Sequence, residues 1–177
     1  RKLKLDNLVP LHRIDRSTAG LVLFSVRPGT RGAYQAMFPE RRIAKHYEAV
    51  VPWREGVSSV PEVYRSRLVD DDHFMRVREE PGEPNSETRI EVLNVQDGLA
   101  LLRLSPITGR KHQLRVHCLA LGMPIVNDPI YPVLLPEGAD DFARPMQLLA
   151  RSLSFVDPVT GAQRSFGSRR SLLLTPR

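Results

Sequence analysis

The sequence predicts an α+β domain: a mixed, mainly antiparallel β-sheet with flanking helices around a central basic cleft. Three observations lead there. Short apolar or alternating stretches that read as strands outnumber helical ones, hairpin turn signals join neighbouring stretches, and two basic segments flank an acidic one. The length of 177 residues suits one domain and can bury a core without covalent staples.

Taken in order, Leu8-Val9-Pro10-Leu11-His12 and Gly20-Leu21-Val22-Leu23-Phe24-Ser25-Val26 read as strands, the second apolar enough to be buried on both faces. The polar loop Arg13-Ile14-Asp15-Arg16-Ser17-Thr18-Ala19 joins them. A helix is expected from Pro28 to about Phe38, with proline in its first turn. Ile43 to Val51 alternates as a strand, with Lys45, Tyr47 and Ala49 on one face. Residues 55–85, with Pro, Gly and the run Asp70-Asp71-Asp72, read as an exposed hairpin or peripheral acidic excursion. Strands Thr88–Val95 and Leu99–Ser105 flank the turn Gln96-Asp97-Gly98. Pro106-Ile107-Thr108-Gly109 leads into a helix from Arg110 to Leu121, closed by Gly122. Residues 132–145 read as a loop, and Gln147–Val156 as a strand ending at the turn Asp157-Pro158-Val159-Thr160-Gly161.

Charge is unevenly spread. The net charge is +6, but residues 1–54 balance to +7, residues 55–98 to −6 and residues 99–177 to +5. If the basic segments meet in the fold they form a surface suited to a phosphate backbone; the bland alternative is an arginine-rich proteome. No apolar stretch is long enough to span a bilayer, and no membrane association is expected. Arg1-Lys2-Leu3-Lys4 has no apolar stretch behind it, unlike a signal peptide. The single cysteine, Cys118, has no internal partner and fits a reducing, cytoplasmic setting.

Three local features could carry chemistry. In His12-Arg13-Ile14-Asp15-Arg16-Ser17-Thr18-Ala19-Gly20 an acid lies between two arginines and two apolar strands. Flanking arginines suit an acid that works as a carboxylate, either nucleophile or base. The bland alternative is a surface turn whose aspartate caps a backbone group. In Gly109-Arg110-Lys111-His112-Gln113-Leu114-Arg115-Val116-His117 a glycine turn opens a cation-rich helix, a good receptor for phosphate or carboxylate. His112 and His117 do not read as a metal pair, because five residues rotate about 140° around a helix. Lys45-His46-Tyr47 carries two readings: strand packing, or a Tyr47 ring offered to a base in a cleft.

In their order and spacing these features resemble the RluA-type pseudouridine synthases. That family's pattern is His-Arg-Leu-Asp-x-x-Thr-Ser-Gly, then Lys-x-Tyr, then Gly-Arg-Thr-His-Gln-Ile-Arg-Val-His, then Leu-His-Ala-x-x-Leu-x-Phe and a proline. Here the segments are His12–Gly20, Lys45–Tyr47, Gly109–His117, and Leu148–Phe155 with Pro158. The departures, Ile14, Ala19, Lys111, Leu114 and Leu149, remove no group that the family's reaction is thought to need.

The resemblance implies a pseudouridine synthase fold and an enzyme that isomerises specific uridines in ribosomal or transfer RNA stem-loops. It implies Asp15 as the catalytic acid residue, acting as nucleophile at C1′ or as base at C2′. Tyr47 would stack on the uracil and help remove the C5 proton, and Arg110 would pair with Asp15 and aim it. Arg13 would fill the place the base left, while His12, Arg16, Lys45, Lys111 and Arg115 would contact RNA. Leu148 or Leu149 would close the uracil pocket. No metal or cofactor is implied, and a monomer is expected. Family members carry strands and often an S4 domain before the aspartate loop. This chain begins fourteen residues before Asp15, so a catalytic domain without its N-terminal strands is expected. Two alternatives stand beside this reading: a non-catalytic RNA-binding module of the same fold, and an unrelated hydrolase using Asp15 with His12 or His112.

Overall fold

The structure, a computed structural model, describes residues 5–54, 60–136, 138 and 141–176. The Arg1–Lys4 segment, residues 55–59 of the expected excursion and parts of the 132–145 loop lie outside the described residues.

Alternating stretches became strands. β4 (Ile43–Pro52), β7 (Ser86–Gln96), β8 (Leu99–Pro106) and β9 (Leu148–Val156) form the middle of one sheet, each antiparallel to its neighbour in the order β9-β4-β8-β7. β5 (Val63–Asp70) adds to β7, and β6 (Val77–Glu80) to β5. β10 (Gln163–Gly167) closes the other edge on β9. The turn from Asp157 to Gly161 forms as expected, its carboxylate accepting the Val159 and Thr160 N–H groups.

The 55–85 stretch is only partly an excursion. It does make a hairpin, but β5 is a full member of the sheet, and the wholly exposed runs are short, chiefly residues 72–75 and 81–84. The N-terminal strands are shorter than expected. β1 (Val9–Pro10) pairs with β3 (Phe24–Ser25), and β2 (Ala19–Gly20) runs parallel to β9. The Gly20–Val26 stretch is therefore not a strand buried on both faces: Phe24 and Val26 are each 49% exposed. Its apolar residues Leu21 and Leu23 instead pack toward Phe155 and Met37. Gly20 is required where β2 meets β9. It sits at φ +112°, and a Cβ there would collide with the Ala150 carbonyl.

The pleat of β4 organises the molecule. Ile43, Lys45, Tyr47 and Ala49 share one face. At one end of that face, α1 (Pro28–Ala36) and the turn after it pack Tyr34, Met37 and Phe38 against Ile43, Leu153 and Phe155. At the other, α2 (Gln113–Ala120) packs Leu114 and Cys118 on Ala49, Leu102, Leu104 and Leu148. Lys45 and Tyr47 floor the gap between these two clusters. The opposite face carries Val50, Leu149 and Leu172. Opposite His46 and Tyr47 a bulge leaves Arg151 of β9 unpaired, which bends β9 beside that gap, a common device beside sites.

α2 starts three residues later than the expected Arg110. Residues 110–112 form a turn, and His112 stands at the N-cap in the left-handed region, φ 53°. The Gln113 amide explains this. Its oxygen accepts from Thr108 Oγ1 (2.7 Å) and Arg110 N (3.1 Å), replacing a helical turn with a side-chain bridge. Its nitrogen donates to the Glu87 carbonyl and to Thr88 Oγ1, both at 2.9 Å. All four bonds that an amide can make are used.

Candidate active site

The gap holds a cleft of about 600 Å³, reached by all three sequence features. Its lining includes Arg13, Arg41, Lys45, Arg110 and Arg115 and one carboxylate, Asp15, so the cleft is basic as expected. Asp15 comes from the loop between β1 and β2, where the Thr18 N–H donates to the Asp15 carbonyl (2.9 Å) and tightens the turn.

α2 is buried from Gln113 to Cys118, and its polar residues must therefore find partners inside the fold. Arg115, 2% exposed, resolves this with two carboxylates. Its Nε and Nη2 grip Asp128 bidentately at 2.7 and 2.6 Å, and its Nη1 donates to Asp15 Oδ2 at 3.1 Å. Asp128 is itself fixed, its Oδ1 accepting the Ile130 and Tyr131 N–H groups at 2.8 and 3.1 Å. The Tyr131 ring lies under the guanidinium, 5.2 Å from centroid to carbon. Burial pulls the Arg115 pKa down, but the hydrogen bonds and charge of Asp128, with Asp15 adding to them, offset this and leave it raised.

The expected pairing of Arg110 with Asp15 is therefore corrected: the guanidinium on Asp15 is that of Arg115, a residue the resemblance implies as an RNA contact. Arg110 precedes the helix on the turn held by Gln113, and its Nε donates to the Asn85 carbonyl (3.2 Å) at the cleft wall. A position five residues further along faces a different direction, and the buried Asp128 determines which arginine is drawn inward.

His112 Nε2 lies 4.0 Å from Asp15 Oδ1, but burial and then the charge of Arg115 pull its pKa down to about 4, so the neighbour of Asp15 at neutral pH is an uncharged ring. Its Nδ1 is 3.0 Å from the Tyr131 hydroxyl. His117 lies on another side of the helix, its Nε2 near Ser66 and Ser86 and its Nδ1 near Thr88, and burial lowers its pKa to about 4. Among the described residues, no group of three or more His, Cys, Asp or Glu is placed to hold a metal ion.

Tyr47 lines the floor; burial pushes its phenol up to about 12, with the charge of Asp15 acting in the same direction. Burial lowers the Lys45 pKa, and its Nζ lies 3.8 Å from where a Cβ on Gly109 would sit, so β4 and the glycine turn close on each other. Arg13 is exposed at the cleft. His12 also lines it, but its Nε2 accepts the Leu23 N–H (3.0 Å) and its ring stacks on Phe38, so much of its bonding capacity braces the β1–β3 turn. Arg16 and Lys111 are exposed and lie outside the lining. Leu148 lines the cleft; Leu149 does not, because the alternation of β9 turns it to the opposite face against Val50 and Leu172. Thr18 Oγ1, buried and in a cleft-lining residue, has no hydrogen-bond partner.

Asp128, Tyr131, Gln113, Asn85 and Arg41 were not singled out from the sequence. The cue for Asp128 and Tyr131 was weak: an acid and an aromatic in the turn-rich run Asn127-Asp128-Pro129-Ile130-Tyr131, without periodicity.

A mixed sheet here carries a basic cleft around one arginine-held carboxylate, an arrangement suited to binding a polyanion beside a reactive acid. A family model described as RNA pseudouridylate synthase matches residues 1–120, and the chain belongs to that family. Its RluA-type character shows in the relatives. The chain is 36% identical over 162 residues to the dual-specificity RNA pseudouridine synthase RluA of Pasteurella multocida, covering 90% of this chain and 72% of that protein. It is 36% identical over 123 residues to ribosomal large subunit pseudouridine synthase C of Vibrio parahaemolyticus, covering 68% of this chain and 38% of that one. Human RNA Pseudouridylate Synthase Domain Containing 1 shares the fold with a TM-score of 0.75 and 28% identity, over 92% of this chain and 69% of that one. The chain is thus an isomerase that forms pseudouridine in RNA. No described helix is long and apolar enough to cross a membrane.

Proposed function

We propose that this enzyme isomerises a uridine in a ribosomal or transfer RNA stem-loop, as a cytoplasmic monomer, and that Asp15 is the carboxylate acting on the ribose. The observation that carries this reading is the Asp128–Arg115–Asp15 chain, which aims one carboxylate into a basic cleft. In the reaction the C1′–N1 bond breaks, the uracil turns, and C5 bonds to C1′. C5 gives up a proton and N1 gains one, so product and substrate have the same composition.

Asp15 acts at C1′ as nucleophile or at C2′ as base. Its second oxygen faces the uncharged His112 rather than another cation. Tyr47 stacks on the uracil. Burial, with the Asp15 charge second, pushes its phenol up to about 12, so it holds its proton in the free site. Leu148 closes the apolar side of the pocket. Arg13, Arg41 and Lys45 meet phosphates or the space left by the flipped base. Arg110 holds the Asn85 wall and contacts RNA from the rim. The names of the relatives, a dual-specificity RNA enzyme in one and a ribosomal large subunit enzyme in another, support ribosomal RNA among the substrate candidates.

Carbodiimide mapping of pseudouridine in ribosomal and transfer RNA, from cells with and without this protein, tests the reading. At least one uridine should lose its mark when the protein is absent. Identical maps in both RNA classes would favour a non-catalytic RNA-binding module instead.

A further inference from the structure

The β5–β6 hairpin ends in an aromatic pair that the core does not use. Phe74 is 80% exposed and Met75 41% exposed. The His73 ring stacks on Phe74, with centroids 5.3 Å apart and planes 18° from parallel. The turn beneath is braced. Arg76 N donates to the His73 carbonyl (2.8 Å), Asp71 Oδ1 accepts the His73 N–H (3.2 Å), and His73 Nδ1 accepts the Met75 N–H (3.3 Å). A large aromatic held in water on a rigid support offers its flat face to a ligand.

The tip is tied to the cleft at two points. Lys111 Nζ donates to the Phe74 carbonyl at 2.7 Å, and Lys111 stands between the cleft residues Arg110 and His112. Further along the hairpin, Val77 exchanges two hydrogen bonds with the Tyr131 hydroxyl, at 2.8 and 3.0 Å, and that hydroxyl lies 3.0 Å from His112 Nδ1. The aromatic tip is thus mounted on the layer that holds Asp15.

We infer that the stacked His73–Phe74 pair is a platform for an unpaired base of the substrate RNA, next to the uridine that enters the cleft. The inference rests on the RNA-isomerase reading above. Charge selects the base rather than the backbone. Asp70 and Asp71 stand 3.9 Å from Lys111 and Arg76 respectively, which they offset, and the exposed Asp72 leaves the tip net negative, a setting that disfavours phosphate more than the neutral face of a base. Stacking of splayed bases on aromatic side chains is a general means of holding single-stranded loops.

The test uses the whole chain and an RNA stem-loop that it converts, with Phe74→Ala and Phe74→Trp, measuring affinity at several salt concentrations and the single-turnover rate at saturation. Exposure of Phe74 means that both variants should fold, which thermal melting checks. Phe74→Ala should weaken binding about tenfold, with the saturated rate within about twofold and the salt slope unchanged, and Phe74→Trp should restore affinity. Unchanged affinity in Phe74→Ala overturns the inference. So does an affinity loss accompanied by a shallower salt slope, which would mark a phosphate contact. Loss of a concentration-dependent dimer with RNA affinity intact would overturn it in favour of a protein interface. If the unaltered chain converts no stem-loop, the isomerase reading fails first and takes the platform with it.

Discussion

The Asp128 side chain has no solvent exposure, and Arg115 links it to Asp15. Its two oxygens accept four hydrogen bonds, two from the guanidinium and two from backbone N–H groups. Removing one partner of such a buried pair leaves an uncompensated charge, which costs more than the pair itself contributes. Asp128→Asn keeps the volume but loses the charge. It should destabilise the fold by about 3 kcal/mol in urea unfolding. It should also slow single-turnover pseudouridine formation more than it weakens RNA binding, because Arg115 loses the anchor that aims Asp15. A purely structural aspartate would instead lower stability while leaving the rate per folded molecule unchanged.

At the scale of elements, the parallel β2–β9 contact brings the aspartate loop to the sheet, and it depends on Gly20. Gly20→Ala places a methyl against the Ala150 carbonyl in a backbone conformation that alanine disfavours. The variant should lose about 2–4 kcal/mol of stability or fail to accumulate as folded protein, as chemical denaturation would show. Sequence patterns were informative where an element alternates. β4, β7, β8 and β9 lie within a few residues of their expected limits, because each carries runs of alternating or contiguous apolar residues that the core buries. They were silent on β10, whose five residues are all exposed, so that its pairing with β9 leaves no apolar alternation. β5 was hidden for a related reason: charged and small residues interrupt it, and only Leu68 is buried. The start of α2 was misplaced because a side-chain bridge from Gln113, rather than a residue in the turn itself, defines it, and the choice between Arg110 and Arg115 follows from that start. Asp15, Tyr47, Lys45 and the glycine turn could be read as one site because their motifs, in order and spacing, resemble the RluA-type pattern. Asp128 could not, since its role exists only once α2 and the 127–131 turn are packed together.

For the whole molecule, burying two uncharged histidines makes stability depend on pH. Both His112 and His117 are lowered from 6.5 to about 4 by burial. The unfolded chain therefore binds their protons at higher pH than the folded chain does. Their contribution is complete above about 6.5, is lost progressively as the pH falls, and levels off near 4. Urea unfolding should show stability dropping between pH 7 and pH 5, and His117→Gln, although less stable overall, should show a smaller drop across that interval. An equal drop in both proteins would mean that His117 does not carry this dependence.

The proposed function divides the labour across the molecule: the cations lining the cleft would hold RNA, and Asp15 would perform the chemistry. Asp15→Asn separates the two most directly, since asparagine matches aspartate in size but is neither a useful nucleophile nor a base. Product formation on a converted stem-loop, measured by mass-tagged or carbodiimide assay, and affinity by filter binding at one fixed salt concentration, should part company: no pseudouridine, with RNA affinity equal to or slightly tighter than that of the unaltered enzyme. Substantial turnover by Asp15→Asn, or equal loss of binding and turnover, would contradict a catalytic Asp15.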